Sequence, residues 1–524
     1  MPKSTVLITT SGTGSRLGSL TEYTNKSLIT IGDKPALARI IEQYPTDTRF
    51  VITLGHFGKH VKQFLELAFP QFDFEFVEID NFSGPKSSLA LSMMAARDLL
   101  QEPFIYNASD SIFLESIESE EQGNWLGGYV GEDGANYASF DSLSGFVSHV
   151  HEKGMVEFDY IHTGVVGIED YELFWSCLDE VLVQENFKET LNDLSAVRLM
   201  LDRGSRFRVR RLNSWIDIGN SLSLHQAENQ FGNPYNILRK RDESISFCGS
   251  KVIKFFYDSE RCAKRVRRAN ELKDLVPTIT ASRENFYSYQ FVEGTKLSKI
   301  ANPKIITKLL DWSITELWNT ENSDSQSNFR KACEIFYKDK TYSRLDDFYR
   351  SRRILDTFET INEEDIPPLS DFLDEGINFC IADCKQTRIH GDFILDNIIS
   401  KDQTFLLLDW REDFANLIKT GDIYYDLSKL NHSLVLNHEM INMGNFDISI
   451  DNRDVICNVL VRDSSMLMRE IFNEWITSQG FNQKKVSLLT SIIWLNMSPL
   501  HHHPFDLFLY YYGKLSLWRA LNEF

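Results

Sequence analysis

RIHGDFILDNIISKDQTFLLLDW, Arg388 to Trp410, is the stretch on which the reading of this chain turns. It sets His390, Gly391 and Asp392 side by side, places Asn397 five residues after the Asp, and ends an apolar run at Asp409. The spacing suits a tight loop followed by a hairpin, whose second strand, Phe405 to Leu408, delivers Asp409 to the loop. Phosphoryl transfer from ATP needs such a set: a carboxylate to position or deprotonate the attacking hydroxyl, and an Asn and a second Asp to hold magnesium on the phosphates. The competing reading is a surface turn and strand that merely carry acids. His, Asp, Asn and Asp-Trp falling in register speaks against it.

These residues resemble the aminoglycoside phosphotransferase and choline kinase superfamily, a branch of the protein-kinase-like fold. Its HGDxxxxN pattern is present and is followed by the Asp409-Trp410 pair, while GDIYYDLSKL offers a later acid at Asp426. The resemblance extends from about Ser244 to the C-terminus. It implies Asp392 as catalytic base, Asn397 and Asp409 as Mg²⁺ ligands, and His390 and Asp426 as supports of the catalytic loop. It leaves open which hydroxyl is phosphorylated.

A chain of 524 residues has room for about two to four domains and a sizeable core. Its formal net charge of −20 argues against a nucleic-acid or anionic-membrane partner, since those reward clustered Lys and Arg. The seven Cys are scattered, without CxxC or zinc spacing, as in a reducing compartment. No signal peptide is visible, and no apolar run reaches the ~18–20 residues that cross a bilayer. The expectation is a cytoplasmic protein with no membrane insertion.

Toward the N-terminus, Thr5 to Thr9 reads as a buried parallel strand that runs into Ser11-Gly12-Thr13-Gly14-Ser15-Arg16-Leu17. Glycines after a strand let backbone N–H groups approach phosphate oxygens, and an Arg adds charge. Lys26 follows in TNKSL, then Asp33-Lys34-Pro35 ahead of an amphipathic helix. The run GTGSRL, TEYTNKSL, GDKP resembles the nucleotidyltransferases that activate sugar phosphates and related alcohol phosphates, although TTSG stands where that family usually begins AAG. Phe50–Leu54, a helix near Val61–Ala68 and Phe74–Ile79 continue a strand–helix alternation that predicts a mainly parallel sheet. Phe82 to Leu89 opens a helix where the family reads the nucleobase.

The strand Phe104–Asn107 leads to Ala108-Ser109-Asp110, and an Asp just past the C-terminal end of a parallel strand lies where such sheets bind ligands. The family resemblance implies Asp110 as a magnesium ligand and Asp217, in SWIDIGN, as the second; Gly usually stands where this chain has Ser109. It likewise implies Arg16 and Lys26 as the catalytic cations at the α-phosphate and pyrophosphate, and Gly12, Thr13, Gly14 and Ser15 as the nucleotide-binding loop. Glu152-Lys153 resembles the family's sugar-gripping pair, and Gly164 its TG turn. This second resemblance covers roughly residues 3 to 230.

Gln230 to Arg241 mixes Gly, Pro, Asn and a basic run, as a linker would. Ser244 to Phe256 then alternates like a hairpin and carries Lys254. Kinase-like folds put a Lys on such a strand to hold phosphates, paired to a helical Glu; Glu271 on the predicted helix Arg261–Leu275 is the natural partner, with Lys251 and Glu260 as competitors. Gly249 stands alone where a Gly-rich loop would be, and Tyr287 to Val292 resembles the inter-lobe hinge. Beyond Leu297 helical periodicity dominates, predicting helices over Tyr342–Thr360, Leu369–Asp383, Ile456–Ile476, Lys485–Leu495 and Phe505–Leu521, with a polar loop at Asn322–Ser327. Consecutive His501-His502-His503 point different ways and read as a loop end rather than a metal site.

The expected fold class is α/β. Residues 1–235 form a Rossmann-like mixed-sheet nucleotidyltransferase domain, and residues 236–524 a bilobal protein-kinase-like α+β domain with lobes at 244–295 and 296–524. Together they imply a bifunctional Mg²⁺-dependent enzyme, a kinase and a nucleotidyltransferase acting in turn. ATP phosphorylates a small sugar or alcohol, and an NTP then nucleotidylates that phosphate. The product is an NDP-activated precursor, an NDP-sugar in preference, for a surface polysaccharide such as a capsule. Choline or another amino alcohol, giving a CDP-alcohol, is the alternative. A second alternative is that one domain is a catalytically silent nucleotide-binding regulator or scaffold.

Overall fold

The computed structural model describes residues 4–84, 87–117, 123–235, 240–319, 324–402, 404–436, 441 and 444–522. Residues 236–239 of the expected linker and 322–323 of the expected polar loop, like Pro85 and Lys86 of the expected base-reading segment, lie outside the described residues. The chain is mixed α/β and divides into two compact units: Met1–Cys262 with Thr280–Phe291, and Ala263–Ile279 with Val292–Phe524.

The first unit is built on a nine-stranded sheet in the order Asp73–Glu78, Arg49–Leu54, Thr5–Thr9, Phe104–Ala108, Tyr160–Ile168, Trp125–Tyr129, Arg208–Arg211, Phe146–His151, Ser139–Leu143. The first four strands run parallel, and Tyr160–Ile168 is antiparallel to both its neighbours. Alternate side chains feed two hydrophobic cores. Val6, Ile8, Phe50, Ile52 and Ile105 enter one, while Leu7, Val51, Phe104 and Tyr106 enter the other. Burial on both faces explains why these strands read as unbroken apolar runs. From Thr5–Thr9 the chain winds outward through Arg49–Leu54 to Asp73–Glu78, then returns to the other side at Phe104–Ala108. The order therefore reverses between Thr5–Thr9 and Phe104–Ala108, and the crevice at the carboxyl ends of such a strand pair is where open α/β sheets take ligands.

The expected hairpin is present as Glu243–Cys248 and Lys251–Phe256, joined by Phe286–Gln290 and Ile279–Ser282 in a four-stranded antiparallel sheet. These strands, assigned from sequence to the second domain, gather with the first unit. The cause is apolar: Cys248, Ile253, Phe255 and Phe286 join the core that holds Leu28 and Phe64. Phe64, on the helix Gly58–Ala68, meets Phe286 with ring centroids 6.2 Å apart.

The second unit is mainly helical. Helix Ile423–Val435 is buried along its whole length and packs against Gln483–Met497, which in turn packs against Phe505–Asn522. A three-stranded sheet of Thr295–Lys296, Ile398–Lys401 and Thr404–Leu407 carries the hairpin expected after the HGD loop. Two helix expectations fail. Arg353 adopts a left-handed backbone (φ 56°) that ends Lys340–Arg352, so Tyr342–Thr360 is not one helix and Glu359–Ile361 is a strand. Residues 456–459 belong to the strand Asp454–Val459, paired with Phe446–Asp451, and the following helix begins only at Asp463. Val455 and Cys457 alternate inward there, a period-2 signal hidden by the helical periodicity that follows.

Candidate active sites

In the first unit, Thr9 and Ala108 are partners across the parallel ladder, so the loop after one strand and Asp110 after the other emerge side by side. Gly14 has φ 67°, and a Cβ there would stand 2.9 Å from Lys26 Cβ, so glycine lets the loop close over the Lys26 stem. Gly12 meets nothing within 4 Å, Ser15 and Arg16 are exposed, and Thr13 is half-buried. Asn25 anchors the segment from below, donating to the carbonyls of Thr10 (2.8 Å) and His56 (2.6 Å).

Asp110 and Asp217 are brought together by a short antiparallel ladder in which Ser111 faces Asp217 and Ile112 faces Ile216. The Ile218 N–H closes it on the Asp110 carbonyl at 3.0 Å. A Cβ placed on Gly219 would lie 3.2 Å from Asp217 Oδ1 and 3.4 Å from Asp110 Oδ2, so both carboxylates front one glycine. Lys26 Nζ donates to Asp110 Oδ2 at 2.9 Å. Burial pushes the Asp110 carboxyl up, but Lys26 and then Arg16 outweigh it and hold it below the ordinary value. Asp217 goes the other way: burial and the neighbouring Asp110 charge raise it, against hydrogen bonds from Ser223, Tyr137 and Gly219. Two carboxylates pressed together with opposite shifts are a familiar mark of functional sites.

Residues that the sequence reading missed complete this centre. Tyr137 Oη and Ser223 Oγ each donate to Asp217 Oδ2 at 3.0 Å, and Tyr137 packs edge-on against Trp215 at 4.7 Å. Gly164 has φ 77°, and a Cβ there would strike Ala108 Cβ (2.9 Å) and Ser111 Oγ (3.0 Å), so it permits the close approach of strands behind the carboxylates. Glu152 pairs with Arg198 at 2.6 Å, and both Glu152 and Lys153 are exposed; among the described residues neither bonds to Asp110 or Asp217.

In the second unit, the HGD loop hangs from Asp426. Its Oδ2 accepts the His390 N–H and its Oδ1 the Gly391 N–H, both at 2.7 Å, and Trp318 Nε1 adds a third bond at 3.1 Å. Burial lifts the Asp426 carboxyl to about 6. The buried guanidinium of Arg268 donates to the carbonyls of Ile389 (2.6 Å) and Ile418, tying the loop from the far side. His390 is wholly buried, and burial holds its imidazole down at about 4, hence neutral.

Asp392 emerges from this frame one-third exposed. Asn397 Nδ2 donates to its Oδ2 at 2.9 Å, and Lys429 Nζ bridges to its Oδ1 at 2.7 Å. Burial raises the Asp392 carboxyl, yet Lys429 dominates and holds it at about 2. The Leu408 N–H bonds the Asn397 carbonyl at 2.7 Å and the Arg411 N–H bonds the His390 carbonyl at 3.1 Å, so the hairpin folds Asp409 back beside the loop. Asp409 adopts φ 56° and pairs with Arg265 Nη1 at 3.0 Å. Lys429 had a sequence signal: it lies one turn after Asp426 on the same helix, so both face the loop.

Lys254, on Lys251–Phe256, is buried, and Glu271, on the helix Ser259–Leu272, is half-buried. The rival Lys251 is engaged by the Leu67 carbonyl at 3.1 Å. No group of three or more His, Cys, Asp or Glu side chains is gathered for a metal ion among the described residues. No helix among them is long and apolar enough to cross a membrane.

No protein-family model and no curated protein matches this chain. Among solved structures it is similar to a Bacillus anthracis protein described as a glucose-1-phosphate thymidylyltransferase, in complex with sucrose, at 20% identity and a TM-score of 0.37 over 45% of this chain and 98% of that one. It is also similar to the CTP:phosphocholine cytidylyltransferase of Streptococcus pneumoniae, at 17% identity and TM-score 0.37 over 44% of this chain and 100% of that one. An inositol-1-phosphate CTP transferase from T. maritima gives 17% and 0.35 over 44% and 96%. At these identities and scores the likeness assigns neither activity nor substrate to this chain.

Proposed function

We propose that the chain is a bifunctional enzyme. Residues 236–524 work as a kinase-like domain that phosphorylates a small sugar or alcohol with ATP. The chain's N-terminal region then couples that phosphate to a nucleotide from an NTP and releases pyrophosphate. The product is an NDP-activated precursor, an NDP-sugar in preference, made in the cytoplasm for a surface polysaccharide.

One observation carries the reading. In each unit an acid flanked by a second acid pairs with a lysine: Asp110, beside Asp217, with Lys26, and Asp392, beside Asp409, with Lys429. Mutual repulsion of the first two acids, visible in the raised Asp217, is the demand that a divalent cation answers. Asp110 and Asp217 would hold Mg²⁺ in the first centre, and Asn397 and Asp409 in the second. Mg²⁺ supplies Lewis-acid neutralisation of phosphate charge. The side chains do the rest. Lys26 and Arg16 offset charge at the α-phosphate and leaving pyrophosphate, and the loop Gly12 to Ser15 presents N–H groups to the nucleotide. Asp392 orients the acceptor hydroxyl and takes its proton; a carboxylate this acidic favours late proton transfer and therefore acts mainly by positioning. Lys254 and Glu271 are assigned to the ATP phosphates, and Glu152, Lys153 and Gly164 to the acceptor phosphate side of the first centre.

Incubating the full chain with ATP, CTP, UTP, GTP, dTTP, Mg²⁺ and a panel of sugars and amino alcohols, with products read by mass spectrometry, tests this. Asp392→Asn should stop acceptor phosphorylation only, and Asp110→Asn nucleotidyl transfer only. Loss of neither step, or of both with each variant, defeats the bifunctional reading.

A further inference from the structure

A chain of net charge −20 gathers four cations around the Asp392 loop. Lys429 bridges Asp392 at 2.7 Å. Arg411 passes under Gly391, whose missing Cβ would lie 2.6 Å from Arg411 Cβ, and its guanidinium rests 4.9 Å from the centre of the Phe336 ring. Lys340 Nζ lies over the same ring at 3.7 Å and near Tyr425 at 5.6 Å. Arg344, one turn further along the same helix, donates to the Asn496 carbonyl at 2.9 Å.

These charges feel one another. Burial first, then Arg411, Arg344 and Lys429, hold the Lys340 ammonium well below its ordinary value, and Glu412 opposes them only weakly. The compensating acids are already engaged. Asp392 answers Lys429, Asp409 pairs with Arg265 at 3.0 Å, and Glu412 stands 4.0 Å from Arg411 while also lying 3.4 Å from Arg265. Lys340 makes no hydrogen bond or ion pair among the described residues, and the buried Arg411 Nε has no acceptor among them. A protein that had only to fold would gain by replacing such a group with apolar side chains. A ligand carrying negative charge resolves the imbalance.

The aromatic floor leads to the same conclusion. Phe336 stacks on Phe414 at 4.2 Å and meets Tyr425 edge-on at 4.8 Å, a grouping that could cage a quaternary ammonium. Lys340 and Arg411 already occupy the Phe336 ring, and a ligand cation would be repelled by all four side chains.

We propose that the acceptor phosphorylated beside Asp392 is a hydroxylated anion, its carboxylate or phosphate ester held by Lys340, Arg344 and Arg411. This rests on the reading of Asp392 as the phosphotransfer acid–base group and narrows its substrate class away from amino alcohols. The acceptor oxygen bonds to the γ-phosphorus as the bond to ADP breaks, and the hydroxyl proton passes to Asp392.

The test uses the full chain with four probes: D-glycerate, glycerol 3-phosphate, glycerol and choline. ADP release and calorimetric binding are both measured, and the first two probes separate a carboxylate from a phosphate ligand. One anionic probe should exceed glycerol and choline by about 100-fold in kcat/KM. Lys340→Met and Arg411→Gln should each raise the acceptor KM about 10-fold or more, with Lys340→Arg retaining most of the affinity. Preference for choline or glycerol, or Lys340→Met and Arg411→Gln variants indistinguishable from the parent, overturns the proposal. Anion binding that Lys340→Met abolishes, without ATP turnover of any probe, leaves the anion site standing and removes the kinase reading. Binding of neither anion overturns the anion site.

Discussion

Lys429 Nζ lies 2.7 Å from Asp392 Oδ1, and the two meet because helix Ile423–Val435 carries both the brace of the loop and the counter-ion of its acid. Lys429→Met removes the main force that opposes burial at Asp392, so its carboxyl rises from about 2. The acid limb of the pH profile for ADP formation should move up by about one unit or more, with kcat at neutral pH lowered about 10-fold. For stability the sign follows from a depressed carboxyl. The pair contributes above the unfolded value of ~4 and loses its contribution as pH falls toward about 2. An unshifted pH profile in Lys429→Met counts against Asp392 as the essential acid–base group.

Asp110→Asn removes a neighbour whose charge raises Asp217, so the Asp217 carboxyl should fall back toward its ordinary value. Nucleotidyl transfer should drop about 10²–10³-fold, and the melting temperature should fall modestly, because the Lys26 pair that holds the Asp110 carboxyl down is lost along with the repulsion of Asp217. Gly219→Ala sets a methyl 3.2 Å and 3.4 Å from the two carboxylate oxygens and should raise the Mg²⁺ concentration needed for half-maximal activity. A Mg²⁺ dependence identical to the parent's would remove the carboxylate pair from metal binding.

Asp426→Ala strips the acceptor from two buried backbone N–H groups and from Trp318. Each orphaned donor costs about 1–3 kcal/mol, so urea unfolding of the second unit should shift by several kcal/mol. Asp426→Asn keeps one oxygen and should lose less.

Protons at His390 and Asp426 act in opposite directions. His390, neutral and held at about 4 against an unfolded value of ~6.5, contributes stability fully above that unfolded value and loses it as pH falls toward about 4. Asp426, raised to about 6, binds its proton more tightly when folded, so its contribution grows as pH falls from about 6 to ~4. Each is worth on the order of 3 kcal/mol across the window. Urea midpoints measured between pH 6.5 and 4 should therefore fall more steeply for Asp426→Asn than for the parent, and less steeply for His390→Gln. Equal slopes in all three would remove both assignments.

Much of the first unit was legible because strands buried on both faces write themselves as apolar runs. Thr5–Thr9 was expected and observed with the same limits, and Gly14 and Gly164 do occupy positive-φ, close-approach positions. The HGD hairpin was legible because loop, strand and Asp follow one another within 23 residues of chain. What stayed hidden was contact at long range. Nothing local in Tyr137 announces Asp217, and nothing in Arg265 announces Asp409. The strands at 243–290 were legible as a hairpin but not by allegiance, since an alternating face does not say which core it will cover. Lys26 was expected to face phosphate, and nothing local in TNKSL announces its bond to Asp110, 84 residues away.

The chain passes between its two compact units after Cys262, after Ile279 and after Phe291. A single cut at any of these crossings yields two pieces, one of which still carries a segment packed within the other's unit, as Phe286–Gln290 pairs with Lys251–Phe256, so the nicked pieces should stay together on a denaturant-free gel. Splitting the gene at residue 235 would be harsher. The N-terminal product would bare Leu28 and Phe64 where Phe255 and Phe286 had covered them, and should precipitate, whereas co-expression with residues 236–524 would supply the missing cover and restore solubility.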